Sequence, residues 1–107
     1  MKIYNSSNIF KLLLDEINTG TSISFTIHGN SMFPTILDGT NISIKRSMQY
    51  KVGDIIAYYV KDKNEYLIVV HRIVEMHSEY ILAKGDNNDR LDPLKIPINN
   101  ILGLVSF

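Results

Sequence analysis

The sequence predicts a mainly β fold, a small irregular antiparallel barrel or sandwich, with one amphipathic helix at its start. Three observations carry this reading. Helical spacing of apolar residues occurs only in residues 7–18. From about residue 21 to 105 the apolar residues alternate or run in short blocks. Turn residues such as Asp38-Gly39 and Gly53-Asp54 separate those blocks.

In the helix, Ile9, Leu13 and Ile17 fall at i, i+4 and i+8, and Phe10 and Leu14 flank the same stripe. Ser6, Ser7 or Asn8 is the candidate N-cap and Gly20 the candidate stop. Asp15 and Glu16 oppose the helix dipole in the last turn, so packing must hold the helix. Its polar face is not basic enough for a membrane-surface helix, and the stripe reads as core-facing. A partner protein docking through this helix is the other use of such a stripe.

After Gly20 the period becomes two. Ile23, Phe25 and Ile27 alternate with Ser22, Ser24, Thr26 and His28, which predicts a half-buried strand ending at His28. Ile42 and Ile44 alternate with Asn41, Ser43 and Lys45 in the next strand. Residues 55–60 follow the Gly53-Asp54 turn as a strand, and residues 61–65 make a polar hairpin loop. Residues 66–74 are apolar on both faces, as a central strand is. Residues 80–84 form a short strand, 85–93 a polar loop and 98–105 a closing strand. The reading is about six strands and one helix in a single domain of residues 1–107.

Composition narrows the function classes. A chain of 107 residues hides roughly two-thirds of its unfolded surface, enough for one core without staples. Eleven basic residues balance eleven acidic ones, which argues against a polybasic nucleic-acid binder. With no cysteine there is no disulfide framework, no Cys-ligated zinc site and no thiol nucleophile. The longest apolar runs, residues 55–60 and 66–70, fall far short of the roughly 20 residues of a membrane span. Lys2 followed by a short apolar run and then Asp15 and Glu16 does not read as a signal peptide. The expectation is a soluble, cytoplasmic protein with no cofactor.

Three polar clusters interrupt the apolar framework. In His28-Gly29-Asn30-Ser31-Met32-Phe33-Pro34-Thr35, Gly29 permits an unusual backbone and Pro34 shapes the turn, so Ser31 is presented at a strand end. Taken alone, such a serine is ordinarily a turn residue. His71 shares a strand face with Leu67, Val69 and Ile73, a costly place for an imidazole without a partner. It reads either as a satisfied core-edge histidine or as a general base. Residues 84–93 hold three aspartates and two asparagines but lack the ligand spacing of a calcium loop. No metal site is expected: His71 and His77, six apart on a predicted strand, share a face but lie too far apart for one ion, and His28 is remote.

The clusters together are more specific than any one. Gly29-Asn30-Ser31-Met32-Phe33-Pro34-Thr35, Gly53-Asp54-Ile55-Ile56, His71-Arg72-Ile73 and Lys84-Gly85-Asp86-Asn87-Asn88 with Asp92 follow in an order and spacing that resembles the type I signal peptidases, of the S24/S26 type. The match spans residues 24–105 and looks like the branch that uses histidine as base. The usual bacterial branch and the related self-cleaving repressors use lysine there.

The resemblance implies a fold of the signal peptidase type, with Ser31 as nucleophile, His71 as base, Asp92 orienting His71, and Asp86 supporting the site. It also implies an extended leader or precursor peptide as substrate, with small side chains in shallow pockets. Gly29, Asn30, Met32, Phe33, Pro34 and Ile36 are the expected binding residues. Two departures stand out. Gly29 occupies a position where the family commonly carries a small hydroxyl residue, and the expectation is a form without a membrane anchor. The resemblance thus implies a short soluble endopeptidase. The alternatives are a non-catalytic peptide-binding module, a subunit of a peptide-modifying complex, or a self-cleaving dimerisation domain.

Overall fold

Apolar spacing places the helix where the sequence predicts it, with a shifted buried face. The computed structural model describes the backbone of residues 2–107 and the side chains from Asn8 onward. Helix α1 spans Ser7–Asn18. Phe10, Leu13 and Ile17 are buried with Leu14 packed beside them, whereas Ile9 is 56% exposed. Phe10, Leu13, Leu14 and Ile17 fit the i, i+3, i+4, i+7 face, and Ile9 lies just outside it. The candidate caps Ser6 and Ser7 lie outside the described side chains. At its far end the helix is tied to the sheet by Arg46 Nη1, which donates to Asn18 Oδ1 at 2.6 Å.

The strands are β1 (Lys2–Ser6), β2 (Ile23–Thr26), β3 (Asn41–Lys45), β4 (Ile55–Asp62), β5 (Glu65–Met76), β6 (Tyr80–Lys84), β7 (Ile96–Pro97) and β8 (Ile101–Ser106). The sheet runs β2-β3-β8-β4-β5-β6-β7, with β1 added to β5 beside that path. Every pairing is antiparallel. The fold is thus mainly β with one helix, as predicted, but the sheet is open rather than a closed barrel.

Several boundaries differ from the prediction. β2 ends at Thr26, not His28, because Ile27 already turns: its N–H donates to Thr40 and its carbonyl accepts from Gly39. β1 and β7 were not expected. The predicted last strand, residues 98–105, opens instead with a 3-10 turn at Ile98–Asn100 and continues as β8, with β7 just before it. His71 and His77 do not share a strand face. The β5–β6 register shifts between Ile73 and Glu75, and β5 ends before His77. His77 instead bonds Glu75 at 2.7 Å and stacks on Tyr80.

Both faces of the central strands are apolar, which is why β5 reads as a continuous hydrophobic run. Ile68 and Val70 face the cluster closed by α1, together with Met32, Ile36 and Leu102. Leu67, Val69 and Ile73 face a second cluster with Ile56, Tyr58, Ile81 and Ile96. Fully burying one such aliphatic side chain stabilises by about 1.5–3 kcal/mol. β5 is therefore a rigid platform, and His71 is carried on its second face.

Candidate active site

A buried imidazole needs partners on both nitrogens, and His71 has them. The residue is only 4% exposed. Its Nε2 lies 3.1 Å from Ser31 Oγ and its Nδ1 lies 2.6 Å from Asp92 Oδ2. A carboxylate only accepts hydrogen bonds, so Nδ1 carries the proton and Nε2 is left to accept from the serine hydroxyl. Three residues far apart in sequence thereby form one hydrogen-bonded line. The arrangement can accept a proton from Ser31 and stabilise the positive charge that results.

Asp92 has a second donor that the sequence reading missed. Tyr58, on β4 and 3% exposed, donates its hydroxyl to the same Oδ2 at 2.5 Å. Burial, reinforced by the bond to Asp92, pushes the Tyr58 phenol well above its ordinary range, so it stays a donor. Tyr58 pairs with Val69 two residues before His71, and no motif in the sequence marks it.

Asp86 does not touch His71 among the bonds described. Arg72 clamps its carboxylate with two contacts, Nε to Oδ1 at 2.9 Å and Nη2 to Oδ2 at 2.8 Å, and Thr35 donates to Oδ2 at 2.5 Å. The Arg72 bonds lower the Asp86 carboxyl below its ordinary range against the opposing effect of burial, with Thr35 adding to the shift. Arg72 Nη1 also donates to the Gly53 carbonyl at 2.7 Å, tying in the turn before β4. Asp86 thus fastens the loop after β6 to β5 and to the Ser31 turn.

The Asp86-Asn87-Asn88 turn grips the serine turn directly. The Asn87 N–H donates to the Ser31 carbonyl at 2.8 Å, and Asn87 Nδ2 donates to the Asn30 carbonyl at 3.1 Å. A Cβ added to Gly85 would sit 2.6 Å from the Ser31 carbonyl oxygen and 3.0 Å from His71 Nε2. Only glycine lets these two backbones approach so closely.

The expected binding residues divide. Phe33 is 47% exposed and Pro34 is exposed, with a cis bond between them. Met32 and Ile36 are 0% and 1% exposed, so they do not line an open pocket; they anchor the turn in the core from beneath. Gly29 has φ of 110°, a conformation that strains any L side chain, and its N–H donates to Asp38 Oδ1 at 2.8 Å. The backbone therefore explains why a hydroxyl residue is missing there. A cleft of about 710 Å³ opens beside the line instead, walled by His71 and Asp92, floored by Leu67 and Val69, and rimmed by Leu91 and Leu94.

Asp89 is exposed. Among the described residues there is no cluster of His, Cys, Asp and Glu able to hold a metal ion. Also among them, no helix is long and apolar enough to cross a membrane.

The family described as peptidase S24-like matches residues 3–106. The signal peptidase complex catalytic subunit SEC11 of Clavispora lusitaniae is 34% identical over 92 residues, covering 81% of this chain and 53% of that protein. The SEC11 proteins of Scheffersomyces stipitis and Candida dubliniensis are 29% and 30% identical over 91 residues, covering 80% of this chain and 54% of each relative. The chain spans about half the length of the curated relatives it matches. No solved structure matches the chain significantly.

Proposed function

The chain belongs to the peptidase S24-like family, and from that premise we propose that it is a signal-peptidase-like serine endopeptidase cleaving an extended leader or precursor peptide. The observation that carries this is the line from Ser31 Oγ through His71 to Asp92, at 3.1 and 2.6 Å. His71 Nε2 takes the hydroxyl proton as Ser31 Oγ attacks the peptide carbonyl carbon. Asp92 holds the tautomer and stabilises the imidazolium, while Tyr58 holds Asp92. Backbone N–H groups at the serine turn meet the oxyanion, apart from that of Gly29, which Asp38 engages. The C–N bond then breaks, His71 returns its proton to the leaving amine, and water releases the acyl group from Ser31.

A second reading, a peptide-binding module without turnover, draws on Gly29, which brings neither a hydroxyl nor an uncommitted N–H to the oxyanion. As part of either reading, the outward Ile9 and Leu12 of α1 are offered to a protein partner.

The two readings separate in one experiment. The chain is incubated with a proteome-derived peptide library, and new chain ends are read by mass spectrometry. New ends sharing a common sequence around the cut support the peptidase. Peptides retained intact over long incubation support the binding module and overturn the peptidase.

A further inference from the structure

Two strands share the outer edge of β5, with a two-residue gap between them. β1 covers it from Glu65, opposite Ser6, to Val69, opposite Lys2. β6 resumes at Arg72, opposite Lys84. Val70 and His71 fall between these two strands, while β4 backs both of them on the other side. β1 thus ends two residues short of His71, whose ring meets Ser31. It is five residues long and pairs with β5 alone, so it is a one-sided edge strand, of the kind that opens at low cost.

A second observation points to an occupant for the same edge. Leu67, Val69 and His71 alternate along one face of β5, and all three line the 710 Å³ cleft. A strand laid on this edge sets every second position, those opposite Leu67 and Val69, on the cleft's side of the sheet. Main-chain bonds would give such a strand its affinity, and the cleft would choose among its side chains.

We infer that β1 is a displaceable occupant of a strand-addition edge, and that an extended peptide binds by replacing β1 on β5. This rests on the reading of the site as a peptide site but not on catalysis. The incoming strand makes the same ladder bonds that β1 gives up, so the exchange is governed by how often β1 is away. If β1 is seated nine-tenths of the time, it weakens apparent peptide affinity about tenfold.

The test uses the β1 sequence itself as probe, a synthetic Lys-Ile-Tyr-Asn-Ser peptide with blocked ends, titrated into ¹⁵N-labelled protein and read at the β5 amides. A variant lacking residues 2–6 is expected to bind the probe about tenfold more tightly than the intact chain. A second variant guards against a folding failure. The chain has no cysteine, so Asn5→Cys with Tyr66→Cys, a directly opposed pair, offers one disulfide across the two strands. Oxidised, it should exclude the probe; reduced, it should admit it. Equal binding by the oxidised and reduced forms, or failure of the disulfide to form, overturns the inference. A shortened chain that takes up the probe and cuts no library peptide upholds the exchange of β1 while removing the peptidase reading.

Discussion

Tyr58→Phe removes one hydroxyl from the centre of the proposed machinery and leaves its ring in place. Asp92 Oδ2 receives two donors, Tyr58 Oη at 2.5 Å and His71 Nδ1 at 2.6 Å. Losing a hydrogen bond to a charged acceptor costs about 1.5–3 kcal/mol. Part of that is recovered, because phenylalanine has no hydroxyl to desolvate and His71 still satisfies the carboxylate. A net loss of about 1–2 kcal/mol follows, which lowers Tm by roughly 4–8 °C for a chain of this size. If that loss is felt in full where Asp92 holds the imidazolium, kcat/KM falls about 5- to 30-fold. Asp92→Asn should be far worse, about 10⁴-fold, because an amide favours the wrong tautomer of His71. The assay is thermal unfolding by circular dichroism beside kcat/KM on the best library peptide. Tyr58→Phe matching wild type in both, or proving more damaging than Asp92→Asn, would refute the positioning role.

Two further outcomes follow from the clamp around the serine turn. Arg72 lowers the folded-state pKa of the Asp86 carboxyl, so its ionisation stabilises the fold above the unfolded carboxylate range and ceases to do so as pH falls through the lower folded value. The Tm gap between wild type and Asp86→Asn should therefore be present at pH 7 and close as pH drops below about 4, whereas a gap that persists unchanged in acid contradicts the ion pair. Gly85→Ala places a methyl group 2.6 Å from the Ser31 carbonyl oxygen and 3.0 Å from His71 Nε2. Overpacking of this kind costs about 1–3 kcal/mol, and the displaced pair should lose about 100-fold in rate; unchanged kinetics would show that the two backbones are not in contact.

Much of the fold was legible because period and polarity change where the elements change. The i, i+3, i+4 spacing through Phe10, Leu13 and Ile17 marks α1, and the doubly apolar run of β5 marks the central strand. What escaped depends on pairing rather than local pattern. β7 is two residues long and exists because Ile96 and Pro97 meet Ile81 and Tyr80, and β1 exists because it meets β5. The burial of Met32 was also hidden, since an apolar residue beside a candidate nucleophile fits a pocket wall and a core anchor equally well.

At the site, the residues singled out by motif order meet in space: Ser31, His71 and Asp92 in one line, and Asp86 beside it. Tyr58 was invisible because its hydroxyl reaches Asp92 across 34 residues from a strand that reads as ordinary core. Arg72 stood in the quoted His71-Arg72-Ile73 motif, but its grip on Asp86 needed the β6 loop folded back over β5.

The central claim is that Ser31 is the nucleophile, and the turnover of one library peptide by Ser31→Ala beside wild type tests it most directly. The substitution removes a single hydroxyl from a half-buried turn, so Tm should stay near that of wild type while kcat falls by about 10⁶-fold. A folded Ser31→Ala protein that cleaves the peptide within tenfold of the wild-type rate would contradict the account.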